Sequence, residues 1–201
     1  MPKKIMQNRN ELRIAMIDTA ERIIEQDGVE ALTARKLAHE MGIAVGTTYN
    51  FFKQMDDLIS EVSTRTLSAL AAEIEAAENA GEDIEAQLTT YADAYITFVT
   101  NNPKRWAALF AGAIDTDSEV QNRNAEQVLR LFNALERVFA PIAKQIPNFD
   151  PAKSARALWA AVHGVLTLAS TGRIESIGLG DARETVRLLI HFHVAGINAQ
   201  L

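Results

Sequence analysis

Apolar residues recur at spacings of three and four along most of the chain, the pattern of helices that bury one face. In the first such stretch Ile17, Ala20 and Ile24 form a single stripe. The alternation of apolar and polar residues that marks a strand does not appear. The sequence therefore predicts an all-α fold of about nine helices. They are expected at residues 12–28, 34–40, 44–51, 54–80, 83–101, 104–113, 120–146, 151–171 and 181–199.

Capping residues set several of the expected boundaries. Thr33 and Asp150 each precede an apolar-periodic run and are expected to cap it, with Pro151 at the first helical position. Gly81 is expected to end the long helix 54–80. Pro141 is expected to kink or end helix 120–146, because proline lacks the backbone N–H that a helix interior requires.

The segment TARKLAHEMGIAVGTTYNFF, residues 33–52, has the spacing of a helix-turn-helix. Ala38 supplies a small methyl group where two short helices crossing at about 100° must approach closely. Gly42 follows four positions later and adopts a positive φ without steric cost. Leu37 and Ile43 are expected to point inward. The alternative from spacing alone is two ordinary core helices.

The stretch from Arg13 to Leu58 resembles the N-terminal DNA-binding domain of the TetR family of transcriptional regulators. Three positions depart from the family pattern: Ala44 replaces a capping serine, Thr48 a leucine and Met55 a lysine. Loss of the cap typically costs ~1 kcal/mol. The matching residues are Gly28, Val29, Leu32, Thr33, Leu37, Ala38, Gly42, Ile43, Gly46, Thr47, Tyr49, Phe52 and Leu58.

The resemblance implies a helix-turn-helix DNA-binding domain at residues 1–55 and a ligand-binding and dimerisation domain at residues 56–201. Arg35 is the best candidate for reading a base, because a guanidinium pairs bidentately with guanine and gives ~1–3 kcal/mol of discrimination. The other implied base contacts are Val45, Gly46, Thr47 and Asn50. Phosphate contacts are implied for Thr33, Tyr49 and Lys53, which set register without reading sequence.

The net charge of −6 is unevenly distributed. Lys3, Lys4, Arg9 and Arg13 stand against Glu11 alone in the first thirteen residues, so the acidic excess lies elsewhere. A basic arm ahead of a helix-turn-helix suits a protein that touches DNA at one end. The alternative is a solvated, disordered terminus.

Several classes of function lack support in the sequence. The chain has no cysteine, which excludes disulfides, thiol catalysis and cysteine metal sites. No nucleophile elbow, phosphate-binding glycine loop or HExxH motif occurs, so no enzyme, cofactor or metal is expected. His191 and His193 lie on different helix faces. With no secretory signal and no apolar run of ~20 residues, a cytoplasmic protein without a membrane contact is expected.

The last two predicted helices are apolar over more than one face, as in ALWAAVHGVLTLAS. They are expected to form a homodimer by packing as a four-helix bundle with the same pair of a second subunit. The alternative is a buried monomer core. Trp159, His163 and Gly164 also resemble an effector and dimerisation domain of the tryptophan-histidine-glycine type, found in one branch of TetR-like regulators.

Aromatic residues dominate apolar ligand sites, and a set of them is expected to line an effector pocket. The alternative for each is simple core packing. His163 shares a helix face with Trp159 and is expected either to hydrogen-bond a ligand or to bond a backbone carbonyl in the core. The predicted pocket residues are Tyr91, Tyr95, Phe98, Trp106, Phe110, Phe132, Trp159 and His163.

These features together predict a homodimeric TetR-like repressor that binds operator DNA and is released by a small hydrophobic effector. Ligand binding is expected to act through the long helix 54–80. Repression follows from the resemblance, with activation as a minority alternative. A rival hypothesis from another class is a helical small-molecule-binding protein that has lost specific DNA recognition.

Overall fold

A computed structural model describes residues 2–78, 83–111 and 119–201 of the chain. These residues form α-helices joined by turns and short 3₁₀ segments, without a strand, so the predicted all-α fold of nine helices is confirmed for this part of the chain. The helices are α1 (Pro2–Asp27), α2 (Ala34–Met41), α3 (Val45–Tyr49), α4 (Met55–Ala76), α5 (Ile84–Asn101), α6 (Pro103–Ala108), α7 (Glu119–Phe139), α8 (Pro151–Ser170) and α9 (Ala182–Asn198).

The chain divides into two compact units. The N-terminal unit comprises residues 1–68 and 102–126, and the C-terminal unit comprises residues 69–101 and 127–201. Helices α4 and α7 contribute residues to both units. The expected domain boundary at residue 55 stays a prediction.

The core of the N-terminal unit forms where α1, α2 and α4 bury their apolar stripes. Met16, Ile23, Leu37, Leu58 and Val62 are fully buried in one cluster. Each lies on the apolar face that the spacing of three and four predicts. Because this cluster joins three helices, it fixes the place of α2 beside α1.

Ion pairs fasten α6 to α1 within the same unit. The Arg105 guanidinium lies 2.8 Å from a Glu21 carboxylate oxygen and 3.3 Å from one of Glu25. Lys104 Nζ also donates to the Gln26 carbonyl at the end of α1, at 2.5 Å. The N-terminal unit therefore includes α6, although that helix is distant from α1 in the sequence.

The C-terminal unit is built from α5, α8 and α9, which pack against one another, together with α7. Two of its helices begin at aspartates whose side chains cap them. Asp150 accepts a hydrogen bond from the Lys153 N–H at 3.0 Å, and Asp181 accepts one from the Glu184 N–H at 3.0 Å. The predicted Asp150 cap is therefore confirmed.

Helix ends differ from the predicted positions where backbone chemistry intervenes. Helix α1 begins at Pro2, ten residues before the predicted start at 12, so the basic arm is helical. Helix α7 ends at Phe139 instead of residue 146, because Pro141 cannot continue the hydrogen-bond ladder. The predicted stop at Gly81 lies outside the described residues. In the part of the chain that the structure describes, every helix is too short or too polar to cross a bilayer.

Candidate nucleic-acid interface and ligand cavity

The link between α2 and α3 has the geometry that the sequence predicts for a helix-turn-helix. Thr33 caps α2, and its Oγ1 accepts a hydrogen bond from the Lys36 N–H at 3.1 Å. Gly42 ends the helix in the left-handed region at φ 64°, and the Ile43 N–H donates to the Ala38 carbonyl at 3.0 Å. This is a glycine C-cap, which lets α3 start two residues later.

Helix α3 presents one side to solvent and buries the other. Val45, Gly46, Tyr49 and Asn50 are exposed, whereas Thr48 is fully buried. Spacings of one, four and five place the exposed residues on adjoining positions of the helix surface. The structure thus brings the predicted base contacts of α3 to one accessible face, with Thr47 half-buried at its edge.

Three further residues with predicted DNA contacts are also accessible. Thr33, Arg35 and Lys53 are exposed, and neither cation has a carboxylate partner among the described residues. Lys36, by contrast, pairs with Asp27 at 2.5 Å and is less available. Because Thr33 Oγ1 already accepts from a backbone N–H, its own proton remains to be donated to an anion.

Two arginines of α1 lie against the C-terminal end of α3, an arrangement that the sequence did not reveal. The Arg9 guanidinium lies 5.4 Å from the Phe51 ring centre and donates to the Asn50 carbonyl at 3.4 Å. The Arg13 guanidinium lies 5.2 Å from the Phe52 ring centre and pairs with Glu61. A cation is favourable at the negative end of a helix. These contacts support a five-residue helix that could not stand alone.

The N-terminal end of α3 lacks stabilising side-chain contacts of the kind that Arg9 and Arg13 make at its C-terminal end. Ala44 occupies its N-cap position and makes no side-chain hydrogen bond. The buried Thr48 hydroxyl also has no hydrogen-bond partner in the described part of the chain. Both positions are departures from the TetR pattern, and both remove stability from α3.

The C-terminal unit contains an apolar cavity of about 50 Å³ between α4, α5, α7 and α8. Tyr91, Tyr95 and Trp159 are in its wall, as the pocket hypothesis requires. Leu70 and Ile74, which belong to the last turns of α4, were not predicted. The wall consists of Leu70, Ile74, Tyr91, Ala92, Tyr95, Leu131, Leu135, Leu158, Trp159 and Val162.

The other predicted pocket residues lie outside this wall. Phe132 packs edge-on against Trp159, with ring centres 5.5 Å apart. Phe98 is buried in α5. Trp106 and Phe110 belong to the N-terminal unit, where their rings meet at 5.2 Å. A role for these four residues in ligand binding stays a prediction.

His163 links the cavity wall to the α8 motif. Its ring stacks on Trp159 with centres 4.7 Å apart, and its Nδ1 lies 2.9 Å from the Tyr95 hydroxyl. Burial lowers the pKa of His163, which favours the neutral ring. The Tyr95 side chain is thus one partner of His163, and the expected hydrogen bond to a ligand or to a backbone carbonyl stays a prediction. His193 bonds Ser154 at 2.8 Å and His191 bonds Glu85 at 3.0 Å, so these two histidines serve different contacts.

The Tyr91 side chain is buried, and its hydroxyl makes no hydrogen bond within the described residues. Burial of a hydroxyl without a hydrogen-bond partner is unfavourable. Burial raises the pKa of Tyr91, and nearby Glu78 adds to this, whereas Arg137 acts in the opposite direction. Tyr91 is therefore neutral at physiological pH.

Two arginines of α7, with side chains 39% and 51% exposed, are paired with glutamates. Arg130 contacts both Glu75 carboxylate oxygens, at 3.1 and 2.7 Å. Arg137 contacts both oxygens of Glu78, at 3.2 and 2.8 Å. The spacing of seven residues places both arginines on one face of α7. They tie that face to the end of α4.

The outer faces of α8 and α9 expose apolar and small residues. Leu188 and Phe192 of α9 are 54% and 62% exposed. On α8, Ala160, Ala161 and Gly164 are exposed, and a Cβ added to Gly164 would meet no atom of this chain within 4 Å. Small side chains allow a second helix to approach closely.

Comparison with known proteins settles the family. The model described as "Tetracyclin repressor-like, C-terminal domain" matches residues 88–193, more than half of the chain, and that described as "Bacterial regulatory proteins, tetR family" matches residues 16–62. The chain belongs to the TetR family. The C-terminal match includes Trp159, His163 and Gly164; assignment of this TetR protein to the tryptophan-histidine-glycine type stays a prediction.

Relatives of this TetR protein resemble it in sequence over about a third of the chain, and solved structures resemble it in fold over nearly the whole chain. An uncharacterized HTH-type transcriptional regulator of Haemophilus influenzae is 30% identical over 69 residues, which are 34% of this chain and 37% of that protein. An HTH-type transcriptional regulator of Staphylococcus aureus is 32% identical over 68 residues, 34% of this chain and 35% of that protein. The chain thus aligns with about a third of the length of these relatives.

Solved structures share the fold at low sequence identity. A Rhodococcus sp. RHA1 protein of unknown function superimposes with a TM-score of 0.73 and 24% identity, covering 92% of this chain and 94% of that one. Thermus thermophilus FadR, a TetR family repressor in complex with lauroyl-CoA, gives 0.66 and 15% identity, covering 90% and 93%.

Proposed function

We propose that the protein is a homodimeric transcriptional repressor that binds operator DNA through α2 and α3 and leaves it when a small apolar effector occupies the C-terminal unit. The observation that carries the proposal is the exposed set of Arg35, Asn50 and Lys53, with the half-buried Thr47 at its edge, around a helix-turn-helix whose first helix is capped. A surface of this kind offers side chains to base edges and phosphates while its apolar face stays in the core.

Arg35 and Lys53 have different roles in this proposal. Arg35 stands in the first turn of α2 and pairs with guanine, whereas Lys53 follows α3 and neutralises a phosphate. Thr33 and Tyr49 add phosphate contacts, and Val45 and Gly46 make apolar or close backbone contacts to a base edge. The helix N-terminus at Thr33 attracts an anion even without a cation.

The exposed faces of α8 and α9 are the proposed dimer interface. Leu188 and Phe192 would bury their side chains against the partner subunit, and Gly164 would allow the two α8 helices to come close. Two-fold symmetry then presents two helix-turn-helix units to major grooves about one helical turn apart. Phe192→Asp is expected to give a monomer in sedimentation experiments, whereas Leu129→Asp, at an exposed leucine of α7, is expected to leave the dimer intact.

Helix α4 is the proposed link between ligand and DNA. Its first residues follow the helix-turn-helix, and Leu70 and Ile74 near its end line the cavity. A ligand that displaces these side chains acts on α4 directly. A difference in ligand affinity of ~1–3 kcal/mol between the two states is a usual allosteric coupling.

Substitution of Arg35 and of Lys53 tests whether the first reads a base and the second contacts a phosphate. Arg35→Ala is expected to cost ~1–3 kcal/mol in specific binding and to relax the preference at one base pair. Lys53→Ala is expected to weaken binding to all sequences alike and to reduce the salt dependence by about one phosphate contact. Fluorescence anisotropy with operator variants at several salt concentrations measures both effects.

Lys153→Ala is the matched control, because Lys153 is an exposed lysine of α8. It is expected to leave DNA binding unchanged. If Arg35→Ala and Lys53→Ala act alike on every sequence, the assignment of Arg35 to base reading is wrong. Absence of any DNA binding by the unchanged protein would favour the small-molecule-binding alternative, to which the uncapped Ala44 gives some support.

A further inference from the structure

Glu61 of α4 carries a buried carboxylate, with 8% of the residue exposed. No other charged residue among those that the structure describes is buried to this extent. Its Oε1 accepts hydrogen bonds from two guanidinium groups, that of Arg13 in α1 and that of Arg123 in α7. Because a buried carboxylate is costly without a cation, Glu61 keeps both arginines in place.

Arg13 connects this carboxylate with the C-terminal end of α3. Its guanidinium lies 5.2 Å from the ring centre of Phe52, a residue that is 3% exposed. The Phe52 N–H donates to the Thr48 carbonyl of α3 at 3.0 Å, so the backbone that carries the ring is bonded to the helix. The position of Arg13 therefore bears on the last turn of α3.

Arg123 comes from the first turns of α7, which belong to the N-terminal unit. The next residue, Asn124, accepts a hydrogen bond from the Thr64 hydroxyl of α4 at 2.5 Å. Two neighbouring residues of α7 thus contact one face of α4, three residues apart. With Arg123 bonded to the oxygen that also holds Arg13, the Glu61 side chain is fixed between two cations.

Helix α3 needs support from outside because it has only five residues. Its N-cap residue, Ala44, makes no side-chain hydrogen bond. At the other end Arg9 is exposed, whereas Arg13 is anchored to the buried Glu61. Of these two arginines, Arg13 is therefore the one that holds the end of α3 most firmly.

We propose that Arg123 is a positioning residue for DNA binding, which acts through Glu61 to hold Arg13 against Phe52 and so keeps α3 in its reading orientation. The inference rests on the proposed function, since it concerns the helix-turn-helix. Arg123 acts on α3 through two other side chains and without touching DNA. It also lies outside residues 16–62, which match the TetR model of the N-terminal domain.

Arg123→Gln tests the proposal, and Arg130→Gln is its matched control. Both arginines lie on α7 and pair with a glutamate of α4, and their side chains are 35% and 39% exposed. Arg123 differs in sharing its carboxylate with Arg13. Arg123→Gln is expected to weaken binding to the genomic fragment that the unchanged protein retards about fivefold. Arg130→Gln is expected to leave this affinity, measured by fluorescence anisotropy, unchanged.

Two further readouts distinguish positioning from a lost DNA contact and from a general loss of stability. The salt dependence of binding is expected to be the same in Arg123→Gln, because no phosphate contact is removed. Amide hydrogen exchange is expected to quicken at residues 45–52 of Arg123→Gln and to stay the same in α9. In Arg130→Gln, exchange at residues 45–52 is expected to be unchanged.

A double variant tests the route through Glu61. In the Glu61→Gln protein, Arg123→Gln is expected to have no further effect on binding, because the link through which it acts is already lost. Circular dichroism checks folding, and Arg13→Gln takes the place of Glu61→Gln, with the same expectation, if the latter does not fold. Loss of affinity from Arg123→Gln in either background, or equal effects of Arg123→Gln and Arg130→Gln, would overturn the proposal.

The outcomes separate this inference from the proposed function. If the unchanged protein binds no DNA, the proposed function fails and hydrogen exchange decides the inference. Faster exchange at residues 45–52 in Arg123→Gln alone then supports the link to α3, and unaltered exchange refutes it. If DNA binds and Arg123→Gln changes neither affinity nor exchange, the inference fails while the proposed function stands.

Discussion

The buried cluster that holds α2 and α3 is mainly aliphatic, whereas aromatic rings are prominent in the C-terminal unit. Leu37, Ile23 and Met16 in the first are fully buried and close-packed. Tyr91 and Trp159 in the second border a cavity. Close packing of aliphatic groups keeps a surface in one geometry, which DNA recognition requires. A cavity with large flat walls can adjust to a ligand, so the two cores suit the two proposed tasks.

The same substitution in both cores should show this difference most strongly. Leu37→Ala is expected to lower the free energy of unfolding by ~3–5 kcal/mol, because it opens a void in a closed core. Leu135→Ala is expected to cost only ~1–2 kcal/mol, because that side chain is half-buried and already borders a cavity. Urea denaturation followed by circular dichroism measures both. Equal losses would mean that the cavity wall is as tightly packed as the core beside α2.

Local signals made the N-terminal unit readable from sequence. Gly42 must adopt a positive φ and Thr33 must supply a side-chain oxygen, and both demands act within a few residues of the chain. Contacts between distant segments were not readable. Nothing in the spacing of Arg9 or Arg13 indicates that each meets a phenylalanine at the end of α3.

The cavity of the C-terminal unit also could be predicted only in part from the sequence. Helical spacing identifies the apolar face of each helix, and so it could nominate Tyr91, Tyr95 and Trp159. It does not say whether opposing faces fill the space between them. Leu70 and Ile74 were missed as wall residues because their apolar stripe on α4 is indistinguishable from ordinary core packing until the partner helices are in place.

Two buried hydroxyls extend the comparison, one in each unit. Thr48→Val is expected to raise the free energy of unfolding by ~1 kcal/mol, since it removes a buried hydroxyl without a hydrogen bond. Tyr91→Phe is expected to have a smaller effect, because Arg137 lies near enough to the hydroxyl to offset part of its burial. Thermal and urea denaturation report both. A loss of stability in Thr48→Val would show that the hydroxyl is satisfied in solution.

Lowering the pH should destabilise the two units to different extents. This effect is expected to be smaller than those of the leucine and the hydroxyl substitutions. Burial lowers the pKa of His163 and His193 below the usual 6.5, and both belong to the C-terminal unit. The unfolded chain then binds protons first, so stability is full above pH about 6.5 and decreases as pH falls towards the lowered values. The double substitution His163→Gln and His193→Gln should flatten this dependence in urea titrations. A pH dependence that the double variant leaves unaltered would assign the loss to other groups.

Binding of genomic DNA fragments by the purified protein, followed by gel retardation at low salt and footprinting of the retained fragment, tests the central claim most directly. The account predicts retardation of particular fragments at submicromolar protein and protection of a two-fold symmetric site with half-sites about one helical turn apart. If micromolar protein retards no fragment, α2 and α3 do not form a DNA-reading surface, and the chain is a small-molecule-binding protein instead.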